Sequence, residues 1–263
     1  MWARRVISPV RVSIANVTSS SSSPFESQRV SFATTHWSLV LEAGRAPRAD
    51  ADSALATLCQ HYWYPLYAYV RRRVQDVSEA QDLTQEFFAR LLEKELLAQA
   101  APDRGRFRSF LLTAMQNFLT NEWRKTQATK RGGGLQVLSI DFDAGDSRLN
   151  LDPGHAWTAE KLFERNWAIT LLDHVLARLQ TEYQQAGRGQ MFELLRPYIS
   201  GNRAKGSLAE IATQLEMTEG AAKVAAHRLR KRYRELLRIE LAQTVADPSE
   251  VDDEIAWLFS ALG

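Results

Sequence analysis

The chain contains a single cysteine, Cys59, among its 263 residues. One thiol excludes an internal disulfide and any metal site built from several cysteines, and its apolar helical neighbours predict a buried core position. Hydrophobic runs are also short, and none approaches the roughly 20 residues that a membrane-spanning helix needs. We therefore expect no membrane association and a cytoplasmic location.

Motifs of catalysis and cofactor binding are missing as well. There is no phosphate-binding Walker loop, no dinucleotide fingerprint and no nucleophile elbow. The histidines show no metal-ligand spacing along the chain. We predict no intrinsic catalysis, no cofactor, no metal site and no small-molecule substrate. The histidines are His36, His61, His155, His174 and His227.

The strand-like alternation of apolar and polar residues is scarce, whereas helix-forming residues are abundant, which predicts an all-α protein. The hydrophobic content of 45% allows two small domains to bury a core each. The formal net charge is only +2. Any affinity for nucleic acid must therefore come from local basic patches, and it should depend steeply on salt.

An acid-faced amphipathic helix is predicted to begin near Glu79. Its carboxylates repel one another by about 0.2–0.5 kcal/mol per unfavourable pair. A cationic partner outside the chain is therefore one hypothesis, and an ordinary solvated face is the alternative. The apolar stripe comprises Leu83, Thr84, Phe87, Phe88, Leu91 and Leu92, and the acidic arc comprises Glu79, Asp82, Gln85 and Glu86.

A second helix, predicted from Phe107 to Thr126, combines a buried aromatic stripe with an amide-rich outer face. Amides can hydrogen-bond to base edges, aromatic rings can stack on unpaired bases, and cations can hold phosphates. Capture of single-stranded DNA is one interpretation, and a core helix with a neutral polar surface is the other. The predicted buried residues are Phe107, Phe110, Leu111, Ala114, Met115, Phe118 and Trp123; the outer ones are Thr113, Gln116, Asn117, Thr120, Asn121, Arg124 and Lys125.

Residues 207 to 238 have the pattern of a helix-turn-helix. Ser207 and Glu210 form a capping box for the first helix, and Thr218 can cap the second. Small alanines allow the two helices to cross closely. The predicted inner residues are Leu208, Ile211, Ala212 and Leu215, followed by Ala222, Ala225, Ala226, Leu229, Tyr233 and Leu236.

The outer face of the second helix of this motif is basic. From Arg203 to Arg238 there are nine Lys and Arg against four Glu, a local net charge of +5. Such a face suits entry into the major groove, and a basic solvated helix is the alternative. The outward residues are Lys223, His227, Arg230, Lys231 and Arg234, with Arg228 and Arg232 beside them.

These segments in this order resemble extracytoplasmic-function (ECF) sigma factors of bacterial RNA polymerase. Asp82–Phe88, Asp103–Leu111 and Asn117 with Arg124-Lys125 are similar to region 2 of that family, and Leu208–Leu237 is similar to region 4. The likeness covers residues 50 to 127 and 165 to 238, somewhat more than half of the chain.

The resemblance implies core RNA polymerase and promoter DNA as partners, and it admits an anti-sigma protein. The acidic helix would dock on the clamp helices of the polymerase largest subunit, and the loop over 98–106 would receive a flipped base of the minus-10 element. The implied polymerase contacts are Glu79, Asp82, Gln85 and Glu86. The implied minus-10 contacts are Arg104, Arg106, Asn117, Thr120, Asn121, Arg124 and Lys125, and the minus-35 contacts are Lys223, Val224, His227, Arg228 and Lys231.

Two positions of the recognition helix depart from the family pattern. Family members usually carry polar or basic residues where Val224 and Ala225 stand. Shape and phosphate contacts are therefore expected to contribute more than base reading at the upstream element.

The predicted architecture has two helical domains joined by a flexible linker, with a C-terminal helical extension. The segments are a disordered N-terminal extension (1–32), a region 2-like domain (33–128), a linker (129–158), a region 4-like helix-turn-helix domain (159–240) and an acidic C-terminal helix (241–263). The aspartates of the linker could mimic RNA in the polymerase channel; a plain solvated linker is the alternative.

The C-terminal tail carries six carboxylates and no Lys or Arg after Arg238. Three interpretations compete. The tail could fold onto the recognition helix as a DNA-mimicking brake, dock on another protein, or pack against region 4 to complete a small core.

The function predicted from these features is a sigma factor that binds core RNA polymerase and directs promoter recognition, DNA melting and transcription initiation. The alternatives are a stand-alone helix-turn-helix regulator and an adaptor whose acidic helix binds a basic protein. The sigma-factor interpretation requires accessible carboxylates. Burial of Asp82 and Glu86, or their pairing with the chain's own arginines, would contradict it.

Overall fold

A computed structural model describes the backbone of residues 48–92, 106–128, 157–199, 207–245 and 247–263, together with residues 140, 142, 145 and 149. Side chains are described within these ranges from His61 onward, except at positions 92 and 125–128. The predicted N-terminal extension, the thiol of Cys59, most of the linker and the loop that carries Arg104 therefore lie outside the description.

The described residues form helices and contain no strand, so the all-α prediction is confirmed. Two single turns of 3-10 helix, Arg196–Tyr198 and Pro248–Glu250, accompany the α-helices. The α-helices are α1 (Arg48–Arg73), α2 (Val77–Leu92), α3 (Phe107–Ala128), α4 (Ala159–Gln185), α5 (Gly189–Leu195), α6 (Leu208–Gln214), α7 (Glu219–Ala242) and α8 (Val251–Ala261).

Helices α2 and α3 bury the stripes that their sequences predict. Phe87 and Phe88 are fully buried, and Phe87 packs edge-on against Phe118 of α3. The one polar member of the stripe, Thr84, is also fully buried. Its hydroxyl donates a 2.7 Å hydrogen bond to the carbonyl of Ala80. This bond satisfies the hydroxyl within its own helix, so Thr84 occupies an apolar position at little cost.

The prediction that Trp123 is buried is wrong, because its residue surface is 38% exposed. One turn after Phe118, the inward position of α3 is taken by Glu122, which pairs with Arg90 of α2 at 2.8 Å. The apolar interface between α2 and α3 therefore ends at this ion pair. Trp123 is the next residue along the chain and lies outside the interface.

The helix-turn-helix forms as predicted. Ser207 and Glu210 make both hydrogen bonds of the capping box at the start of α6. Glu216, in the turn, has φ of 52°, in the left-handed region. Thr218 then caps α7 through the backbone N–H of Ala221. The buried Ala222 and Ala226 lie on the inner side of α7, where α6 packs.

The two predicted domains share one hydrophobic core in the described residues. Helix α1 packs along α4, although the sequence assigns them to different domains. Their side chains belong to one buried cluster, which includes Tyr62 and Phe107 of the first domain and Trp167 and Leu258 beyond the linker. The domain boundaries stay a prediction, and this arrangement of the chain holds the two halves in contact.

The linker is docked on α1 at its described positions. Phe142 is 8% exposed and packs edge-on against Trp63 and Tyr67. At Gly145, an added Cβ would lie 3.1 Å from the Trp63 ring, so the backbone there approaches the indole closely. The expectation of a flexible, solvated linker is therefore not met at these two residues.

Helix α8 packs against α4 and α7. Val251 and Leu258 are buried there, as the third interpretation of the tail predicted. The contact of α8 with a basic residue of α7 is the exposed pair of Asp252 with Arg238 at 2.5 Å. Arg238 lies beyond the predicted minus-35 residues, so the described contacts give no support to a brake on the recognition face.

Candidate polymerase and nucleic-acid interfaces

The acidic arc of α2 divides into an exposed and a half-buried part. Glu79 and Asp82 are exposed, and neither forms an ion pair with any described residue. Gln85 and Glu86 are half-buried. The exposed pair lies within the first two turns of α2 and offers uncompensated negative charge, which suits a cationic partner.

Glu86 is engaged within the protein. Its carboxylate pairs with Arg90, and Arg90 also contacts Glu122 of α3 at 2.8 Å and lies over the ring of Phe118. Burial alone would lower the pKa of Arg90, but the two carboxylates raise it above its ordinary value. The expectation that Glu86 is available is therefore corrected, because its charge stabilises the packing of α2 on α3. The free acidic surface is reduced to Glu79 and Asp82, with Gln85 beside them.

The outer face of α3 is polar and exposed, as the sequence predicted. The hydroxyl of Thr120 donates to the carbonyl of Gln116 at 2.8 Å. Lys125 belongs to the helix, but its side chain lies outside the description. The exposed side chains recur every three or four residues, which places them along one side of the helix. They are Thr113, Asn117, Thr120, Asn121 and Arg124.

Arg106, a predicted minus-10 contact, is bound to the C-terminal helix. Its Nε lies 2.8 Å from Oε2 of Glu254, and its side chain is 30% exposed. The neighbouring Arg108 pairs with the other oxygen of the same carboxylate. The guanidinium of Arg106 is therefore only partly available for DNA, because it is paired with Glu254.

Arg108 is a buried charged residue whose contacts the sequence analysis missed. It is 4% exposed, and its guanidinium lies 3.5 Å from the ring centre of Trp257 and 5.0 Å from that of Trp167. Burial and the like charge of Arg106 lower the pKa of Arg108 to about 9, so it stays charged at neutral pH. The signal was present in the sequence: Arg108 and Glu254 each fall on the apolar stripe of an amphipathic helix, where a charge needs a buried partner.

The recognition face of α7 is exposed along its length. Lys223 pairs with Glu219 one turn earlier at 2.7 Å, and this exposed pair contributes little to stability. Val224 is 49% exposed. The face is accessible to a duplex at all five predicted minus-35 positions, which are Lys223, Val224, His227, Arg228 and Lys231.

Arg232, which the sequence placed beside this face, has a structural role. Its Nε and Nη2 each donate a 2.8 Å hydrogen bond to Glu182 of α4, and Nη1 lies 3.3 Å from Glu235. These contacts raise the pKa of Arg232 and lower that of Glu182. The bidentate ion pair of Arg232 with Glu182 orients α7 on α4. The cations on the other side of α7 remain exposed.

The fold also brings together two histidines that are far apart in the sequence. The rings of His61 on α1 and His174 on α4 are edge-to-face, with centroids 4.3 Å apart. Glu240 of α7 lies beside them, and its Oε1 is 2.6 Å from Nη1 of Arg178. The prediction of no metal site rested on spacing along the chain, which does not show that these three side chains from separate helices lie close together.

Residues 58–129 match the family described as Sigma-70 region 2. This segment of the chain is similar to sigma-70 region 2. Region 2 of sigma factors binds core RNA polymerase and promoter DNA, and sigma factors are initiation factors rather than enzymes. The prediction of no catalytic activity agrees with this match over residues 58–129. No curated protein and no solved structure was found to match the chain.

The matched segment contains the C-terminal part of α1 and all of α2 and α3. It therefore includes both the acidic pair, Glu79 with Asp82, and the polar face of α3. The helix-turn-helix of α6 and α7 lies outside the matched residues. None of the described helices has the length and apolar character needed to cross a bilayer.

Proposed function

We propose that the chain is a sigma factor of the ECF type, which binds core RNA polymerase and directs promoter recognition, DNA melting and initiation. The observation that carries the proposal is the coincidence of the sigma-70 region 2 match with two exposed and chemically different surfaces. One is anionic and suits a protein partner. The other is amide-rich and suits unpaired bases.

Polymerase docking is assigned to Glu79, Asp82 and Gln85 on α2, where the largest-subunit clamp helices would supply the opposing cations. Glu86 contributes indirectly, because its pair with Arg90 fixes α2 against α3. The surface is small, so its charges matter more for the rate and specificity of docking than for total affinity.

Promoter opening is assigned to the outer face of α3. Asn117 and Asn121 can hydrogen-bond to base edges, and Thr120 and Arg124 extend the same face toward the backbone phosphates. Lys125, and Arg104 in the preceding loop, complete the set that the resemblance implies. Arg106 joins them only when Glu254 releases it.

Upstream recognition is assigned to α7. Arg228 and Lys231 are exposed cations for phosphates, and His227 and Lys223 are placed for base edges. Because Val224 lies exposed among them, apolar contact with a thymine methyl group is the chemistry available at that position.

The test is capture of core RNA polymerase by the purified full chain. The informative variant is Glu79→Lys with Asp82→Lys, because both side chains are exposed and have no ion pair among the described residues. Glu193→Lys with Glu216→Lys is the matched control, since it makes the same charge change at exposed positions outside the region 2 match. We expect capture by the wild type and the control and at least a tenfold weaker capture by the α2 variant.

Equal capture by all three proteins would remove α2 as the docking surface. No capture by the wild type would favour the second candidate, a stand-alone helix-turn-helix regulator. That candidate has its own support, because α6 and α7 form a complete motif with an exposed basic face. Duplex binding without polymerase binding is the result that would establish it.

A further inference from the structure

We propose that His61, His174 and Glu240 form a binding site for a divalent transition-metal ion such as Zn²⁺. The three residues lie on α1, α4 and α7. One potential ligand atom from each lies within 4.8 Å of the corresponding atoms of the other two. This proposal goes beyond the sigma-factor function and does not depend on it.

The donor set selects the class of metal. Two imidazole nitrogens and a carboxylate oxygen are typical zinc ligands, with bonds of about 2.0–2.2 Å and a fourth position left for water. Calcium and magnesium prefer six or more oxygen ligands, so they fit poorly. With those bond lengths the ligand atoms of a tetrahedral site are about 3.4 Å apart. The ligand atoms, which lie within 4.8 Å of one another, therefore need to approach by up to about 1.4 Å around the ion.

The site is built into the fold. His61 is 7% exposed and Glu240 is 4% exposed, while His174 is half-buried. The ligands are therefore held by helix packing, and solvent can reach the ion past His174. Backbone elements on three sides restrict how far the ligands can separate, which reduces the entropy lost when the ion binds.

Arg178 pairs with Glu240 at the site. Its Nη1 lies 2.6 Å from Oε1 of Glu240, and its side chain is 40% exposed. The second oxygen, Oε2, remains for the metal. Arg178 then holds the carboxylate in position from outside, as second-layer groups do at zinc sites.

Metal binding at this site would stabilise the contact between the two halves of the chain. The ligands come from α1 on one side of the linker and from α4 and α7 on the other. An ion that binds only this arrangement favours it by an amount that grows with metal concentration.

The test uses the full chain without an affinity tag, stripped of metal with a chelator. Zn²⁺ and Co²⁺ are titrated by calorimetry, and the visible spectrum of the Co²⁺ form is recorded. We expect one equivalent to bind, a higher melting temperature, and no such effect of Mg²⁺. Glu240→Gln and His174→Gln should each weaken binding at least about tenfold. Glu250→Gln, at an exposed carboxylate just before α8, is the control and should bind the metal as the wild type does.

Absence of binding by the wild type, or unchanged binding by both ligand variants, overturns the proposal. His174→Cys keeps the test decisive if another variant fails to fold. Its thiolate should add a sulfur-to-cobalt charge-transfer band that the wild type lacks. A folded His174→Cys protein that binds Co²⁺ without this band would place the metal elsewhere.

Discussion

The carboxylate of Glu254 lies 2.8 Å from the Nε of Arg106, although the two residues come from the last helix and the start of α3. Arg106 is one of the cations that the resemblance assigns to minus-10 DNA. In the function that we propose, the C-terminal helix would therefore compete with promoter DNA for this guanidinium.

Glu254→Gln should release Arg106 for phosphate contact. One added phosphate contact steepens the salt dependence of single-strand binding by about 0.7 in the log–log slope. Fluorescence anisotropy with a single-stranded minus-10 oligonucleotide at several salt concentrations measures this slope. The increase in slope should vanish in Glu254→Gln combined with Arg106→Gln.

Asp253→Asn, on the exposed side of α8, is the control. If the slope does not change in Glu254→Gln while circular dichroism shows an intact fold, the competition between Glu254 and DNA for Arg106 is contradicted.

Asn117→Ala should impair promoter opening and spare duplex binding. The lost side-chain hydrogen bond to an unpaired base is worth about 1 kcal/mol, which corresponds to roughly a fivefold loss of open complex. Permanganate reactivity of melted thymines measures opening, and anisotropy measures duplex affinity. Thr113→Ala, one turn earlier on the same face, serves as the control. An equal loss in both assays would argue against base capture by Asn117.

Arg228→Ala and Arg232→Ala should have different effects, although both residues lie on α7. Arg228 is exposed, so its loss should reduce the salt slope of duplex binding by about 1. Arg232 holds Glu182, so its loss should lower the free energy of unfolding and leave the slope unchanged. Urea denaturation and salt-dependent anisotropy separate the two effects. A reduced slope in the folded Arg232→Ala protein would show that Arg232 reaches DNA.

The pair of Glu182 with Arg232 predicts an acid-dependent part of stability. Hydrogen bonds from Arg232 lower the pKa of Glu182 below its ordinary value of 4.5. A carboxylate of this kind stabilises the fold above its unfolded pKa, and the contribution is lost as pH falls through the folded value. Glu182→Gln should cost about 0.5–1 kcal/mol at neutral pH, since the pair is partly exposed.

The difference between Glu182→Gln and the wild type should shrink as the pH is lowered well below 4.5. Urea unfolding at a series of pH values measures it. Glu193→Gln is the control, because Glu193 is exposed and pairs with no arginine among the described residues. A difference that stays constant across the series would mean that the loss arises from packing instead of charge.

Local signals predicted the local structure well. The capping box at Ser207 and Glu210 predicted the start of α6, and the cap at Thr218 predicted the start of α7. The apolar stripes of α2 and α3 were also predicted from the sequence. The helical period of apolar residues can be recognised without knowing which element the helix packs against. Trp123 was wrongly predicted to be buried. The apolar pattern does not show that the buried stripe ends at the ion pair of Glu122 with Arg90.

Long-range pairings were beyond the sequence analysis. Arg108 and Glu254 are far apart in the chain, and neither side chain alone indicates its partner. The same holds for His61 and His174, whose meeting depends on how α1 packs along α4. The contact between the two predicted domains was missed for a related reason, since the family resemblance describes two modules and not the interface between them.

The guanidinium of Arg108 lies beside two indoles, Trp167 of α4 and Trp257 of α8, whose ring centres are 5.5 Å apart. Indole emission responds to a stacked cation and to water, so undocking of α8 would change the intrinsic fluorescence of the protein. The chain thus contains its own optical probe, and the release of its last helix can be followed in real time without attaching a dye.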